Sequence, residues 1–200
     1  MQAPGERRLF IGLGLEEEPA ERLLRRIRPH LEDAPGVRVY AAADLHLTLC
    51  FLGAFQEQRR SQLQSVLQEE LRGLDAPELV LDGIDAFPDA EHPRAIYARV
   101  DEADPGSGRL WALRNRVWQA CLSQGWRPVE TERRREFRPH VTVARLSADR
   151  AQGGLDRGLR RLEFDQRWLP VDVHLFESRP QVPEERYQAL VTVPLVVRPG

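Results

Sequence analysis

Large apolar residues alternate with smaller or polar ones over Arg8–Leu15, which predicts a β-strand near the start of the chain. Helical spacing of apolar residues instead predicts helices over Glu16–Pro29, Gln56–Leu74 and Ser107–Gly125. Ser147–Asp165 is expected to be a loop with a short helix. The remaining extended segments are Val37–Tyr40, His46–Leu52, Leu79–Phe87, Ala95–Val100, Val141–Leu146, Val171–Ser178 and Arg186–Val197. Because these elements mix without strict βαβ alternation, the predicted fold class is α+β with a largely antiparallel sheet.

The composition indicates one folded domain, expected to span residues 1–200. Hydrophobic residues make up 42% of the 200 positions, too many for a disordered chain. The formal net charge is −2, which gives no reason to expect a large basic face for duplex DNA. All 29 basic residues are arginines, so Schiff-base chemistry and a P-loop lysine are excluded. No segment approaches the roughly 20 apolar residues that span a bilayer. The two cysteines, Cys50 and Cys121, favour a reduced, cytoplasmic protein.

One heptad pattern occurs twice in the chain. The first copy, HLTLCFL, begins at His46, and the second, HVTVARL, begins at His140. Both have the form H-x-T-(Leu/Val)-x-x-L at the entry to a predicted strand. Side chains two residues apart in a strand point to the same face, so each copy presents an imidazole beside the hydroxyl of Thr48 or Thr142. If two duplicated lobes carry these copies, a pseudo-two-fold axis would bring both pairs into one cleft.

Two imidazoles in one cleft predict acid–base chemistry. The ordinary pKa of histidine lies near neutrality, so one imidazole can take a proton from water while the other protonates a leaving alkoxide. The threonine hydroxyls can donate to phosphoryl oxygens. This chemistry needs no metal, nucleotide cofactor or covalent intermediate. The substrate that it suits is a phosphodiester with a strained leaving group, most naturally a cyclic phosphate on ribose.

Paired H-x-T motifs in a chain of this length resemble the 2H phosphoesterase superfamily, and in detail its bacterial and archaeal branch, the RNA 2′,3′-cyclic phosphodiesterases first named 2′-5′ RNA ligases. The segments that carry the resemblance are HLTLCFLG at 46–53, FRPHVTVARL at 137–146, RLFIGLGL at 8–15, Ala43-Asp44, Phe176-Glu177-Ser178 and Arg186-Tyr187. The resemblance implies two pseudo-symmetric, interleaved lobes with antiparallel sheets and a central cleft. It also implies hydrolysis of the cyclic phosphate at an RNA 3′ end to a 2′-phosphate.

The resemblance assigns roles to particular residues. It implies that His46 is the general acid, that His140 is the general base, and that Thr48 and Thr142 hold the phosphate. Arg145 matches an arginine after the second motif of the branch, and Phe51 matches an aromatic residue after the first. Both lie five residues beyond their histidine, which strict alternation places on the opposite strand face. A bulge or a strand end would have to redirect them toward the substrate. A surface ion pair for Arg145 and a core position for Phe51 are the alternatives.

Several expectations stay open at this stage. Arg138 and the run Arg133–Arg135 precede the second motif and either contact RNA phosphates or form a solvated loop. The alternative functions are the reverse reaction, 2′-5′ RNA ligation, and a non-catalytic module that binds RNA ends. The expected partners are RNA ends or short oligonucleotides bearing a cyclic phosphate. No membrane association and no obligate protein partner are expected, and the chain is predicted to be a monomer.

Overall fold

A single antiparallel sheet runs through the computed structural model of the chain, which describes residues 6–31, 34–126, 136–148, 154–182 and 186–198. Within these ranges the sheet has nine strands in the order β7-β4-β5-β6-β3-β1-β8-β9, and β2 pairs with β6. Their bounds are β1 Glu6–Gly14, β2 Val37–Val39, β3 His46–Gln56, β4 Leu79–Phe87, β5 Ala95–Glu102, β6 His140–Leu146, β7 Gln166–Trp168, β8 Asp172–Ser178 and β9 Tyr187–Pro194.

The helices bury apolar stripes against one face of the sheet. They are α1 Glu17–Ile27, α2 Arg60–Glu70, α3 Arg109–Ser123 and the short α4 Arg157–Arg160. Leu23, Leu63 and Leu113 from the first three helices join Ile11 and Leu13 of β1 in one buried core. None of the helices in the described ranges has the length and apolar character that crossing a membrane requires. The helix-covered face therefore supplies the core, and the opposite face of the sheet is available for chemistry.

The predicted α+β class with an antiparallel sheet is confirmed, but the second helix was predicted too long at both ends, since it spans Arg60–Glu70, and one strand was missed. Residues 56–59 were expected in a helix, but Gln56 ends β3 and 57–59 form a 3₁₀ turn before α2. The far end of β3 remains extended because it pairs with β1, from Glu6↔Gln56 to Leu9↔Gly53. Strand β7 was not predicted, because three residues are too short for a periodic pattern and its ladder is supplied by β4.

The two heptads meet at the centre of the sheet. Strands β3 and β6 pair antiparallel through Leu47↔Val141, and these two residues hold the same position in their heptads. The strand order divides evenly at this pair, with β3-β1-β8-β9 on one side and β6-β5-β4-β7 on the other. Because the strands run in opposite directions, each histidine lies across from the threonine of the other motif. The antiparallel pairing thus brings together two pairs of polar side chains, His46–Thr48 and His140–Thr142, which are distant from each other in sequence.

Each heptad contains a bulge just after its threonine. In β3 the register with β1 runs Thr48↔Gly12 and then Cys50↔Ile11, so that Leu49 is the extra residue. In β6 the register with β5 runs Thr142↔Tyr97 and then Ala144↔Ile96, with Val143 extra. One inserted residue reverses the face of every later side chain. Phe51 and Arg145 are therefore returned to the face that carries the histidines, as the sequence required for either to reach a substrate.

Gly12 of β1 packs against the backbone of β3, and we expect its replacement by alanine to destabilise the fold. A Cβ at Gly12 would lie 2.5 Å from the main-chain oxygen of Leu47, so backbone would have to move. Overpacking of this kind costs about 1–3 kcal/mol. Gly14→Ala is the matched control, because a Cβ there meets only side-chain atoms of His174 and Phe176 at ordinary distance. Urea unfolding measures the difference, and equal midpoints for the two variants would contradict the prediction.

Candidate active site

The four motif side chains line one cavity of about 340 Å³ on the open face of the sheet. His46 and Thr48 come from β3, and His140 and Thr142 come from β6. The bulges bring Phe51 and Arg145 into the same lining. The cavity is completed by Arg8, Leu9, Phe10, Tyr40, Gly53, Ser178 and Tyr187. Among these described residues no side chain is a carboxylate, while two are arginines, so the lining suits an anionic ligand.

The two imidazoles are held in the same way. The Nδ1 atom of His46 lies 2.7 Å from the carbonyl oxygen of Asp44, and the Nδ1 atom of His140 lies 2.7 Å from that of Arg138. A carbonyl oxygen only accepts, so Nδ1 carries the proton and donates it in both residues. Each imidazole therefore retains Nε2 as the nitrogen that can exchange a proton with a substrate.

Aromatic rings enclose His46. Its ring centroid lies 4.6 Å from that of Phe10, 4.5 Å from that of Tyr187 and 5.8 Å from that of Phe176. This burial removes water from the imidazolium and lowers the pKa of His46 to about 4, against the opposing effect of the bond to Asp44, and with a smaller contribution from the charge of His140. In the unliganded protein His46 is therefore neutral at pH 7.

His140 has a similar but less enclosed setting. The rings of Phe87 and Tyr97 approach it edge-on, with centroids at 4.9 and 5.2 Å. Burial lowers the pKa of His140, the bond to the Arg138 carbonyl opposes this, and the positive charge of Arg145 lowers it further. A neutral imidazole with its Nε2 lone pair available is the form that a general base requires.

Arg145 belongs to a polar network on one wall of the cavity. Its Nε donates to the Tyr40 hydroxyl at 3.2 Å. Burial alone would raise the pKa of Tyr40, but the hydrogen bond and charge of Arg145, together with hydrogen bonds to Arg38 and Tyr187, lower it. Burial raises the pKa of Tyr187, and the neighbouring Tyr40 raises it further. The hydrogen bond from Arg145 to Tyr40 holds the guanidinium against this wall of the cavity.

Asp44 ties the last strand to this wall. It is buried, and its Oδ1 accepts from the main-chain N–H of Arg186 at 3.1 Å, at the entry to β9. Burial raises the pKa of Asp44, against the opposing hydrogen bond and charge of Arg186. Its main-chain oxygen is the acceptor for His46, so one residue positions both the imidazole and the strand that carries Tyr187.

Other predicted residues lie elsewhere. Cys50 is buried in the core, with its Sγ 3.9 Å from that of Cys121 and no disulfide between them. The Arg138 side chain is exposed, lies outside the cavity lining, and has its Nε 3.7 Å from Glu136. What Arg138 contributes is its carbonyl, which accepts from His140. The run Arg133–Arg135 lies outside the described residues.

A second cavity, of about 550 Å³, is larger but chemically unsuitable for a phosphate. It lies beside β4, β5 and α3, and carboxylates line it: Asp82, Asp101, Glu102 and Asp165. These groups would repel an anion. In the described part of the chain, no cluster of three histidine, cysteine, aspartate or glutamate side chains is arranged to hold a metal ion.

Sequence reasoning did not find Tyr40, Phe10 or Arg8 as parts of the site. Arg8 and Phe10 lie in the segment RLFIGLGL, which carries part of the resemblance, but the strand pattern gave neither of them a role. Tyr40 reaches the site because its main-chain N–H donates to the Val143 carbonyl at 2.9 Å, across more than 100 residues of chain. Tyr187 was noted only in a segment of resemblance, without a role.

Comparison with protein families gives one description. The model of the 2′-5′ RNA ligase superfamily matches residues 15–180. Curated relatives named RNA 2′,3′-cyclic phosphodiesterase include one from Archaeoglobus fulgidus, 28% identical over 70% of this chain and 72% of its own. Another, from Aeropyrum pernix, is 31% identical over 60% of this chain and 62% of its own.

Solved structures reproduce the fold over nearly the whole length. A Thermus thermophilus protein matches with a TM-score of 0.70 and 25% identity, covering 94% of this chain and 97% of its own. Escherichia coli LigT, solved in complex with 3′-AMP, matches with a TM-score of 0.71 and 20% identity, covering 96% and 99%. The likeness to LigT concerns the fold alone.

Proposed function

The chain belongs to the 2′-5′ RNA ligase superfamily, and on that basis we propose that it hydrolyses the 2′,3′-cyclic phosphate at RNA 3′ ends to a 2′-phosphate. The relatives named RNA 2′,3′-cyclic phosphodiesterase support the substrate and the reaction. One observation carries the mechanism. His46 and His140 line one cavity, and each has its Nδ1 committed to a carbonyl two residues earlier. This leaves two Nε2 atoms for one substrate.

The proposed reaction uses one imidazole on each side of the phosphorus. Nε2 of His140 accepts a proton from water as the water oxygen forms its bond to phosphorus. The bond from phosphorus to the ribose 3′ oxygen breaks, and the Nε2–H of His46 donates its proton to that oxygen. In-line attack requires the nucleophile and the leaving oxygen on opposite sides, and the antiparallel pairing of the two motif strands at Leu47↔Val141 supports such a placement of the imidazoles.

The substrate's own charge is part of this mechanism. His46 is neutral in the unliganded protein, yet a general acid must carry a proton. A cyclic phosphate is an anion, and an anion within about 4–6 Å favours the imidazolium. Binding therefore raises the pKa of His46 at the moment when the acid is needed. Thr48, Thr142 and Arg145 would hold the non-bridging oxygens.

Analysis of the product tests which ribose oxygen His46 faces. The expected product of an oligonucleotide with a cyclic end keeps its phosphate when treated with an enzyme that removes only 3′-phosphates, because His46 faces the 3′ oxygen. Loss of the phosphate in that step would show that the two histidines have the opposite roles.

Turnover should also be unchanged in excess chelator, and loss of activity that a divalent cation restores would contradict a two-imidazole mechanism.

The same assay separates the alternative functions. A non-catalytic module would retain the cyclic end stoichiometrically and release no product. A ligase would join the cyclic end to an added oligonucleotide with a 5′-hydroxyl, in preference to water. We propose hydrolysis because the same acid and base serve both directions, and water is far more concentrated than any RNA end.

The proposal includes a monomer that acts in the cytoplasm on RNA ends. Both histidines, both threonines and Arg145 come from one chain and line one cavity, so the chemistry needs no residue from a second copy. Cys50 and Cys121 as thiols, with their sulfurs 3.9 Å apart, support a reducing compartment. Light scattering at the concentration of the assay tests the oligomeric state, and activity confined to a dimer peak would contradict it.

A further inference from the structure

The cavity extends beyond the residues that the proposed reaction uses. Its lining also includes Ser178 and, at the end beyond Phe51, Arg8, Leu9 and Gly53. None of these belongs to either heptad, and Gly53 directly follows the first. The site therefore has room for more of a ligand than the reacting phosphate, and Arg8 is the charged group at that end.

The regularity of β1 places Arg8 on the site face. The register between β1 and β3 shifts twice, and the extra residues, Leu49 and Leu52, both belong to β3. Arg8, Phe10 and Gly12 therefore share one face of β1. Gly12 pairs with Thr48, the predicted phosphate contact, and Phe10 pairs with Phe51. At about 3.3 Å per residue, the Cα of Arg8 lies roughly 13 Å along the strand from the Thr48 row. Phe51 lies between them and is 48% exposed.

Charge distribution assigns the two cations of the lining to different places. Arg145 lies beside the histidines, with its Nε held by Tyr40. Arg8 is exposed on the other side of Phe51. A cyclic mononucleotide carries one phosphate, which the groups around Arg145 would bind. The next phosphate of an RNA strand lies one nucleotide further on, and a second cation at that distance suits a second anion.

We propose that Arg8 binds the phosphodiester that precedes the terminal nucleotide, while that nucleotide spans Phe51. The inference rests on the proposed function and narrows its substrate class. The enzyme acts on oligonucleotide ends in preference to cyclic mononucleotides, and Arg8 is the residue that sets this preference. Its contact is to the backbone, so it discriminates by length and not by base.

The test compares three substrates: a nucleoside 2′,3′-cyclic phosphate, a dinucleotide with a cyclic end, and the same dinucleotide with an uncharged methylphosphonate linkage. Arg8→Gln is expected to lower kcat/KM for the charged dinucleotide by roughly tenfold, the effect of one lost charge-assisted hydrogen bond. The mononucleotide should be unaffected. The methylphosphonate should be a poor substrate for the wild type, and Arg8→Gln should not lower it further. Arg8→Lys should retain part of the preference.

Controls separate this inference from the proposed function. Arg25→Gln removes an exposed arginine from α1 and should match the wild type on every substrate. An Arg8→Gln variant that loses activity equally on the mononucleotide and dinucleotide, or on neither, would overturn the role of Arg8. If the wild type hydrolyses no cyclic phosphate, the proposed function fails. Calorimetric titration with the 2′-phosphorylated dinucleotide then still tests the Arg8 contact, and equal affinity for wild type and Arg8→Gln would refute it.

Discussion

Replacement of either His46 or His140 by alanine is expected to lower kcat/KM on a cyclic RNA end by about 10²–10⁴-fold, the usual contribution of a general acid or base. Each imidazole has only its Nε2 atom available for proton transfer. Among the described residues of the cavity lining, no other side chain has an ordinary pKa near neutrality, so none can replace a lost histidine. Single-turnover rates under saturating substrate are the measurement. Near-wild-type turnover in either variant would refute the assignment.

The structure offers a matched control for this experiment. His174 lies on the same face of the sheet, in the row Thr48, Gly12, His174 that crosses β3, β1 and β8, and its Nδ1 lies 3.1 Å from the hydroxyl of Thr192. It lies outside the cavity lining, so His174→Ala should leave turnover little changed. A loss as large as that of His46→Ala would show that the effect comes from disturbing the sheet.

The double variant gives a second signature. Because the two imidazoles act on one reaction step, removal of both should cost about as much as removal of one. Multiplicative losses in the double histidine variant would indicate independent roles.

Thr48→Val and Thr142→Val should cost less, about 1–3 kcal/mol in the activation free energy, since each removes one hydrogen bond to a charged oxygen.

The pH dependence of kcat/KM is expected to lie on the acid side of neutrality. This parameter reports the free enzyme, in which one imidazole must be protonated and one neutral. Burial lowers the pKa of His46 to about 4 and lowers that of His140. Above both values the protonated partner disappears, so kcat/KM should fall about tenfold for each pH unit through the alkaline range.

The profile of kcat should lie at higher pH than that of kcat/KM. In the complex the bound phosphate anion stabilises the imidazolium and raises the pKa of the pair. Titration of the two imidazole NMR resonances, with and without the 2′-phosphorylated product, measures this pKa shift directly. Because the two imidazoles interact, each apparent pKa belongs to the pair and not to one residue. A kcat/KM profile centred above pH 7, or one that coincides with the kcat profile, would contradict this account.

The sequence was sufficient to predict which motif side chains line the candidate site. The repeated H-x-T pattern identified both imidazoles, and the two-residue period of a strand placed each threonine beside its histidine. Only the structure shows that the two His–Thr pairs lie next to each other, because Leu47 and Val141 pair in antiparallel strands. No local pattern contains that pairing, because the partners are separated by most of the chain.

Strict alternation placed Phe51 and Arg145 on the wrong face, and the bulges at Leu49 and Val143 reverse that result. A bulge is a property of two paired strands, since it counts residues on one against residues on the other, so the sequence of one strand does not reveal it. The same reasoning explains Tyr40, which enters the site through a main-chain bond to Val143.

Residue types in the two heptads place two imidazoles in the candidate site, whereas packing between distant strands shifts their pKa values. The ordinary pKa of histidine suggests a rate maximum near neutrality. Phe10, Phe176 and Tyr187 around His46, and Phe87 and Tyr97 around His140, remove water from both imidazoles and disfavour their charged forms. These rings come from β1, β8, β9, β4 and β5. Desolvation depends on what surrounds a group in space, so the sequence by itself determined which titratable groups the site holds, while only the tertiary structure decided the pKa shifts of those groups.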